Sequence, residues 1–264
     1  MPQATPHRPR KRFGQHFLHD RNIIHKLLAA LRPEPGQSLL EIGPGQGALT
    51  LPLLERCHEL TAIELDRDLI ETLAQKAEVL GRLHLINADI LRIDLGNLDL
   101  PPPLRIVGNL PYNISTPLMF HLLNWRDRIA DMHFMLQKEV AERIIATPGG
   151  HHYGRLSVMM QYHCATEYLF DVPPGCFTPP PKVDSAIIRL RPHAQLPWPV
   201  ADEAHLGRIV QSAFGQRRKT VSNSLKGYID GDGLRALGID PKARAENLSP
   251  EDYSRIANAT ETPA

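Results

Sequence analysis

Cysteine is scarce in this 264-residue chain. The three that occur, Cys57, Cys164 and Cys176, are odd in number and lack Cys-x-x-Cys spacing, which argues against a disulfide framework and a zinc ribbon. Histidine is common, at 13 residues. Yet His151-His152 and His163-Cys164 are adjacent pairs without zinc-ligand spacing, so no metal is expected. No apolar run approaches the ~20 residues that a membrane-spanning helix needs. The opening stretch from Met1 to Pro6 lacks the apolar centre of a signal peptide. A soluble protein of a reduced, cytoplasmic compartment is expected, with no membrane partner. Also missing are the G-x-S-x-G elbow of hydrolases, the G-x-x-x-x-G-K-[ST] phosphate loop and any internal repeat.

Net charge is only +1, so overall charge does not announce a polyanionic partner. Its distribution is more telling. Residues 1–26 carry Arg8, Arg10, Lys11, Arg12, Arg21 and Lys26 against Asp20 alone. Residues 204–229 carry Arg208, Arg217, Arg218, Lys219 and Lys226 and no acid. Two basic segments on a near-neutral chain suggest a localised surface for an anionic partner.

A helical pattern runs over residues 22–31, with Ile23, Leu27, Leu28 and Leu31 on one face, and Pro33 and Pro35 stop it. Strands are then predicted over residues 38–42, 60–65, 83–87, 104–108 and 132–136, and helices over 49–56, 67–78, 115–125 and 138–145. Alternation with short links predicts a mostly parallel sheet with helices on both faces. After a helix over residues 155–163, strands over 167–172 and 183–190 are joined by a loop rather than a helix. They predict an antiparallel hairpin at one end of a seven-stranded sheet. Three prolines within residues 192–199 mark a linker, and short helices follow over 202–214, 221–228, 231–237 and 250–257. The expected organisation is a basic arm over residues 1–21, a Rossmann-like α/β domain over 22–192 and a small all-helical domain over 200–264.

Strand 38–42 leads into Glu41-Ile42-Gly43-Pro44-Gly45-Gln46-Gly47. Glycines at a strand-to-helix turn let a cofactor approach the backbone. The dinucleotide spacing G-x-G-x-x-G is not met, because the third glycine comes one residue early. An acid before a G-x-G-x-G turn is the form that methyltransferases use for S-adenosylmethionine. Glu64 closes the next strand and can accept from ribose hydroxyls. Asp89 follows the third strand and can accept from an adenine amine, with Ile90 packed on the ring. Any one of these reads equally as a tight turn or a helix cap. Together they lie at the carboxyl ends of successive parallel strands, where ligands of such sheets bind.

The next strand ends in Gly108-Asn109-Leu110-Pro111-Tyr112. An adenine amine is a poor nucleophile, because its lone pair is delocalised into the ring. Two acceptors gripping its two N–H bonds bend the nitrogen toward a tetrahedral shape and free that pair. The Asn109 side-chain oxygen and the Leu110 carbonyl can be those acceptors, with Pro111 restricting the backbone. Positioning then carries most of the rate. Tyr112 can stack on a base that has left its helix. Phe177, on the stiff Thr178-Pro179-Pro180-Pro181 segment, can supply the second face of an aromatic clamp. Read alone, that segment is a surface loop with Phe177 plugging the core.

These motifs, together with Arg10-Lys11-Arg12-Phe13-Gly14-Gln15-His16-Phe17-Leu18, Tyr153-Gly154-Arg155-Leu156-Ser157 and Pro181-Lys182-Val183-Asp184-Ser185, resemble the ribosomal RNA adenine dimethyltransferase family. The resemblance runs from about Arg10 to Tyr253 and implies a class I methyltransferase fold. It further implies dimethylation of two adjacent adenines in the 3′-terminal hairpin loop of 16S ribosomal RNA, late in small-subunit assembly; the expected partner is the immature small subunit, and a monomer is expected. It implies adenosylmethionine contacts from His16, Leu18, Gly43, Glu64, Asp89 and Asn109. Gly45 and Ile90 complete the expected cofactor set. Arg10, Lys11, Arg12, Arg155, Arg217, Arg218 and Lys219 are the expected RNA contacts. The family usually has Asn where this chain has His16, whose backbone contact with the cofactor is expected to be kept. A large-subunit adenine methyltransferase shares the cofactor and catalytic motifs. A non-catalytic RNA-binding assembly factor is the alternative outside enzymes, and the presence of Asn109 and the glycines argues against it.

Overall fold

A computed structural model describes residues 15–216 and 218–260. Its elements alternate. Strand β1 (Phe17–Leu18) is followed by α1 (Arg21–Leu31), β2 (Ser38–Ile42), α2 (Thr50–Cys57), β3 (Glu59–Glu64), α3 (Arg67–Ala77) and β4 (Arg82–Asn87). Then come β5 (Leu104–Asn109), α4 (Ser115–Leu123), β6 (Ile129–Gln137), α5 (Lys138–Ile145) and α6 (Arg155–His163). The chain continues through β7 (Cys164–Val172), β8 (Phe177–Thr178), β9 (Ser185–Pro192), α7 (Glu203–Gly215), α8 (Val221–Ser224), α9 (Gly231–Ala236) and α10 (Pro250–Ala259).

Local chemistry sets the boundaries. The Asp20 carboxylate accepts the Ile23 N–H at 3.0 Å and caps α1. Ile23, Ile24, Leu27, Leu28 and Leu31 are buried along one stripe. Arg32 then leaves the helix in the left-handed region at φ 48°, and Pro33 prevents its resumption. Asp66 caps α3 in the same way, accepting from Asp68 N–H at 3.3 Å.

The chain divides into two compact units, one taking residues up to Ala141 and again Glu167–Pro192, the other Glu142–Thr166 and the chain from His193 onward. In the first, seven strands lie in the order β4-β3-β2-β5-β6-β9-β7. β4, β3, β2, β5 and β6 are parallel, and β9 runs antiparallel to β6 with Gln137 opposite Ser185. The chain builds outward from β2 to β4, then crosses to β5 on the other side of β2. The strand order therefore reverses between β2 and β5, the place where an open α/β sheet presents a crevice. Arg105 on β5 fixes that half of the sheet. It makes a two-pronged bond to Asp131 on β6 at 2.9 and 2.8 Å. It also donates to the Leu31 and Arg32 carbonyls that α1 leaves open, at 2.6 and 3.3 Å.

A two-stranded sheet escapes the sequence expectation. β1 pairs antiparallel with β8, Phe17 opposite Thr178 and Leu18 opposite Phe177. Two residues are too few to show a period, so the pairing is decided by tertiary contact.

In the second unit, helices pack on helices. The buried Tyr153 donates to the Leu248 carbonyl at 2.8 Å, and Tyr253 donates to Ala245 O at 2.8 Å. Ser249 and Asp252 form a reciprocal capping box at the start of α10. Residues 142–166, which the sequence pattern leaves inside the 22–192 domain, belong to this helical unit, because α6 packs against α7 and α10. The helix expected over residues 221–228 ends at Ser224.

Candidate active site

The carboxyl ends of β2, β3, β4 and β5 open onto a cavity of about 330 Å³. Its walls come from residues 15–18, the turn after β2, the ends of β3 and β4, and residues 109–114. His16, Leu18, Gly43, Gly45, Glu64, Asp89, Ile90, Asn109, Leu110, Pro111 and Tyr112 all line it. The ends of the parallel strands and the β1 segment together bring to one place residues that lie far apart in the sequence.

The turn after β2 is glycine-dependent for a specific reason. Gly45 sits at φ +57°, and a Cβ there would lie 3.2 Å from the Phe17 ring. Side chains are disfavoured in that conformation, and here one would also push against residues 15–18. The turn is held open by an acid: Glu64 Oε2 accepts the Gly45 N–H at 3.0 Å, and Oε1 accepts the Asp66 N–H at 2.8 Å. Glu64 is buried, and burial pushes its carboxyl upward. The N–H bonds from Asp66 and Gly45 counter this, and the Asp66 carboxylate adds to it. Asn87 ties the ends of β3 and β4 together by donating to Glu64 O at 2.7 Å.

Glu41 is a second buried acid in the cavity wall, 1% exposed, with Oε2 lacking a hydrogen-bond partner among the described residues. Burial pushes its carboxyl up to about 8; the Thr50 hydroxyl works against the rise and the Glu64 carboxylate adds to it. Asp89 serves two ends. Its Oδ1 accepts the Leu91 N–H at 3.1 Å and caps a short 3-10 turn, while the residue still faces the cavity. The helix-cap and ligand readings of Asp89 are thus compatible.

Asn109 ends β5 beside β2. A Cβ on the preceding Gly108 would fall 2.6 Å from the Ile42 carbonyl, so glycine allows the two backbones to meet at the crevice. The Asn109 Nδ2 donates to the His16 carbonyl at 2.9 Å. Because that bond occupies the nitrogen end of the amide, Oδ1 is the end left to accept from a ligand. Leu110 N–H donates to Met135 O at 3.2 Å, and Pro111 O accepts Ile114 N–H at 3.1 Å. The tetrapeptide is therefore held through the Asn109 side chain and through the backbone of Leu110 and Pro111.

Tyr112 is half-buried. Its phenol shares a 2.7 Å hydrogen bond with Ser185 Oγ on β9. Burial pushes the phenol upward, with the Ser185 bond opposing. Its ring stacks on His16, centroids 5.6 Å apart and planes 26° from parallel. His16 Nδ1 in turn donates to Pro179 O at 2.7 Å.

Phe177 requires a correction. Its ring is 2% exposed and belongs to the apolar core with Leu18, Val172 and Ile187. It does not line the cavity. Pairing with Leu18 turns it inward, so the aromatic partner that the structure gives Tyr112 is His16, not Phe177. Ser185 and Gln15, whose Nε2 donates to Asp66 Oδ2 at 2.9 Å, are outside the expected set. Both lie in segments that carry the family resemblance, but no periodicity or local chemistry of the sequence assigns either one a role.

Of the expected RNA contacts, Arg10, Lys11, Arg12 and Arg217 lie outside the described residues. Arg155, at the start of α6, is exposed, as are Arg218 and Lys219 after α7. Among the described residues, no group of three or more His, Cys, Asp and Glu could hold a metal ion, and no helix is long and apolar enough to cross a membrane.

Three acids, one of them with an unbonded oxygen, face a cavity whose rim carries an amide oxygen and an aromatic ring. That donor set fits a cationic ligand bearing hydroxyl and amine groups. A family model described as ribosomal RNA adenine dimethylase matches residues 6–262. The chain is 55% identical over 249 residues to ribosomal RNA small subunit methyltransferase A of Dichelobacter nodosus, 94% of each protein. The protein of that name from Pseudomonas aeruginosa is 54% identical over 259 residues, 98% of this chain and 97% of its own. Among solved structures, a dimethyladenosine transferase from Plasmodium falciparum matches with a TM-score of 0.80 at 25% identity, over 91% of this chain and 96% of that one. The 23S rRNA methyltransferase ErmE matches with a TM-score of 0.73 at 28% identity, over 92% and 98%.

Proposed function

The chain belongs to the ribosomal RNA adenine dimethylase family, and from that premise we propose that it dimethylates the N6 amines of two adjacent adenines in the 3′-terminal hairpin loop of 16S ribosomal RNA. Its cofactor is S-adenosylmethionine, its substrate the immature small subunit, and it acts as a cytoplasmic monomer. The observation that carries the reading is the oriented Asn109 amide. Its nitrogen is committed to His16 O at 2.9 Å, which leaves its oxygen as the end to accept from a ligand in the cavity that Asn109 lines.

The cofactor supplies a methyl group on a cationic sulfur. Glu64, Asp89 and Ile90 would hold its adenosine half, with Gly43 and Gly45 letting it lie against the backbone. Glu64 and, once a bound cation favours its ionisation, Glu41 would supply negative charge in the cavity wall. Asn109 Oδ1 and the Leu110 carbonyl grip the two amine hydrogens, localise the nitrogen lone pair and aim it into the cavity. Tyr112 offers a face to the unstacked base, offsetting part of the few kcal/mol that unstacking costs. The protein develops no new charge, so fixed geometry is its main contribution.

Identity of 55% to a relative named for the small subunit, against 28% to a 23S enzyme, favours the small-subunit substrate over the large. The deciding experiment is transfer of a labelled methyl group to undermethylated small and large subunits, followed by mapping of the modified bases. Labelling of large subunits alone would refute the substrate. Binding of small subunits without transfer would favour the non-catalytic assembly role.

A further inference from the structure

Tyr112 is the member of the tetrapeptide that offers a ring to the base, and that ring has only two side-chain torsions to fix. Two contacts fix them from outside the motif. Ser185 is wholly buried at the first position of β9, opposite Gln137 on β6. Its neighbour Asp184 accepts the Lys138 N–H at 3.0 Å, so the backbone carrying the Ser185 hydroxyl is tied to the end of β6 at two successive residues. From that position Oγ reaches the Tyr112 phenol at 2.7 Å, across 73 residues of sequence. The other contact is the His16 ring along the tyrosine face. The backbone is held as well: Ser115 Oγ donates to Tyr112 O at 3.1 Å.

We propose that Ser185 is a positioning residue for base capture: its hydroxyl sets the Tyr112 ring before RNA arrives, so that an incoming adenine meets a ready face. The proposal rests on the reading of Tyr112 as the base-stacking residue. A tyrosine free to rotate would have to be ordered during capture, at the expense of rate. A neutral hydrogen bond of this kind is worth roughly a five- to tenfold effect.

The test is a double-mutant cycle in the full chain, with undermethylated small subunits and labelled S-adenosylmethionine. Ser185→Ala is expected to lower kcat about five- to tenfold, with cofactor Kd and Tm close to wild type. Tyr112→Phe, which breaks the same bond from the other end, should give a similar loss. Ser185→Ala in the Tyr112→Phe background should then add less than about twofold, since the bond is already gone. Ser185→Thr, which keeps a hydroxyl, should recover activity relative to Ser185→Ala. Losses that multiply in the double variant, or wild-type kcat in Ser185→Ala, would overturn the proposal. If Ser185→Ala does not fold, Tyr112→Phe decides alone: wild-type kcat there means the bond is idle and the proposal is wrong. Tyr112→Ala separates the two levels. Full activity in that variant removes the stacking reading itself, whereas a large loss there alongside multiplying Ser185 effects removes only the part assigned to Ser185.

Discussion

Glu41 makes the fold pH-dependent in a direction opposite to that of most carboxylates. Its pKa rises from 4.5 in the unfolded chain to about 8 in the fold, chiefly through burial. The folded state therefore holds the proton more tightly than the unfolded state, by roughly 5 kcal/mol once both have titrated. The sign follows from proton counting. The stabilisation is full below the unfolded value and is lost as pH rises through the folded one, so stability falls between pH 4.5 and about 8. Between pH 6 and 9 the cofactor-free protein should lose about 3 kcal/mol on this account. Glu41→Gln keeps the shape of the protonated group and cannot ionise. Its unfolding free energy, measured by denaturant titration at pH 6, 7, 8 and 9, should lack that component. The wild-type minus variant difference should widen by about 3 kcal/mol across the series. A difference constant to within about 0.5 kcal/mol would show that the buried carboxyl does not titrate in this window, and would sink the reasoning. Cofactor binding adds a second arm. A cation in the cavity favours ionised Glu41, so binding at pH 7 should release close to one proton. Calorimetry in two buffers of different ionisation enthalpy reads that release, and Glu41→Gln should abolish it.

Asn109→Ala should bind cofactor and small subunits within a few-fold of wild type and lose methyl transfer by at least about a hundredfold, the scale of removing a positioned acceptor; robust transfer in that variant would refute the two-acceptor mechanism. Arg105→Ala strips Asp131 of its partner and leaves the Leu31 carbonyl open, in a pair only 15% and 14% exposed. It should cost about 3 kcal/mol of unfolding free energy, and a loss under about 1 kcal/mol would show the network to be idle. Charge reversal at the exposed Arg218 and Lys219 should weaken RNA binding and flatten the dependence of log K on log salt by about one unit per lost phosphate contact. An unchanged slope would take that surface out of the footprint.

What the amino-acid sequence determined by itself is what depends on neighbours in the chain. The alternation of strands and helices, the Gly43-Pro44-Gly45 turn and the acids at successive strand ends are legible because apolar period, turn chemistry and strand termination act within a few residues. Parallel register then brings Glu64, Asp89 and Asn109 to one edge without further information. Tertiary structure alone decided which way Phe177 points, because a two-residue pairing with Leu18 carries no period and turns the ring into the core. It also decided the orientation of the Asn109 amide and the setting of Tyr112. Those depend on hydrogen bonds to His16 and Ser185 that close loops of 93 and 73 residues. Such bonds form between groups that meet only after the sheet has assembled, and nothing in the local pattern encodes their partner.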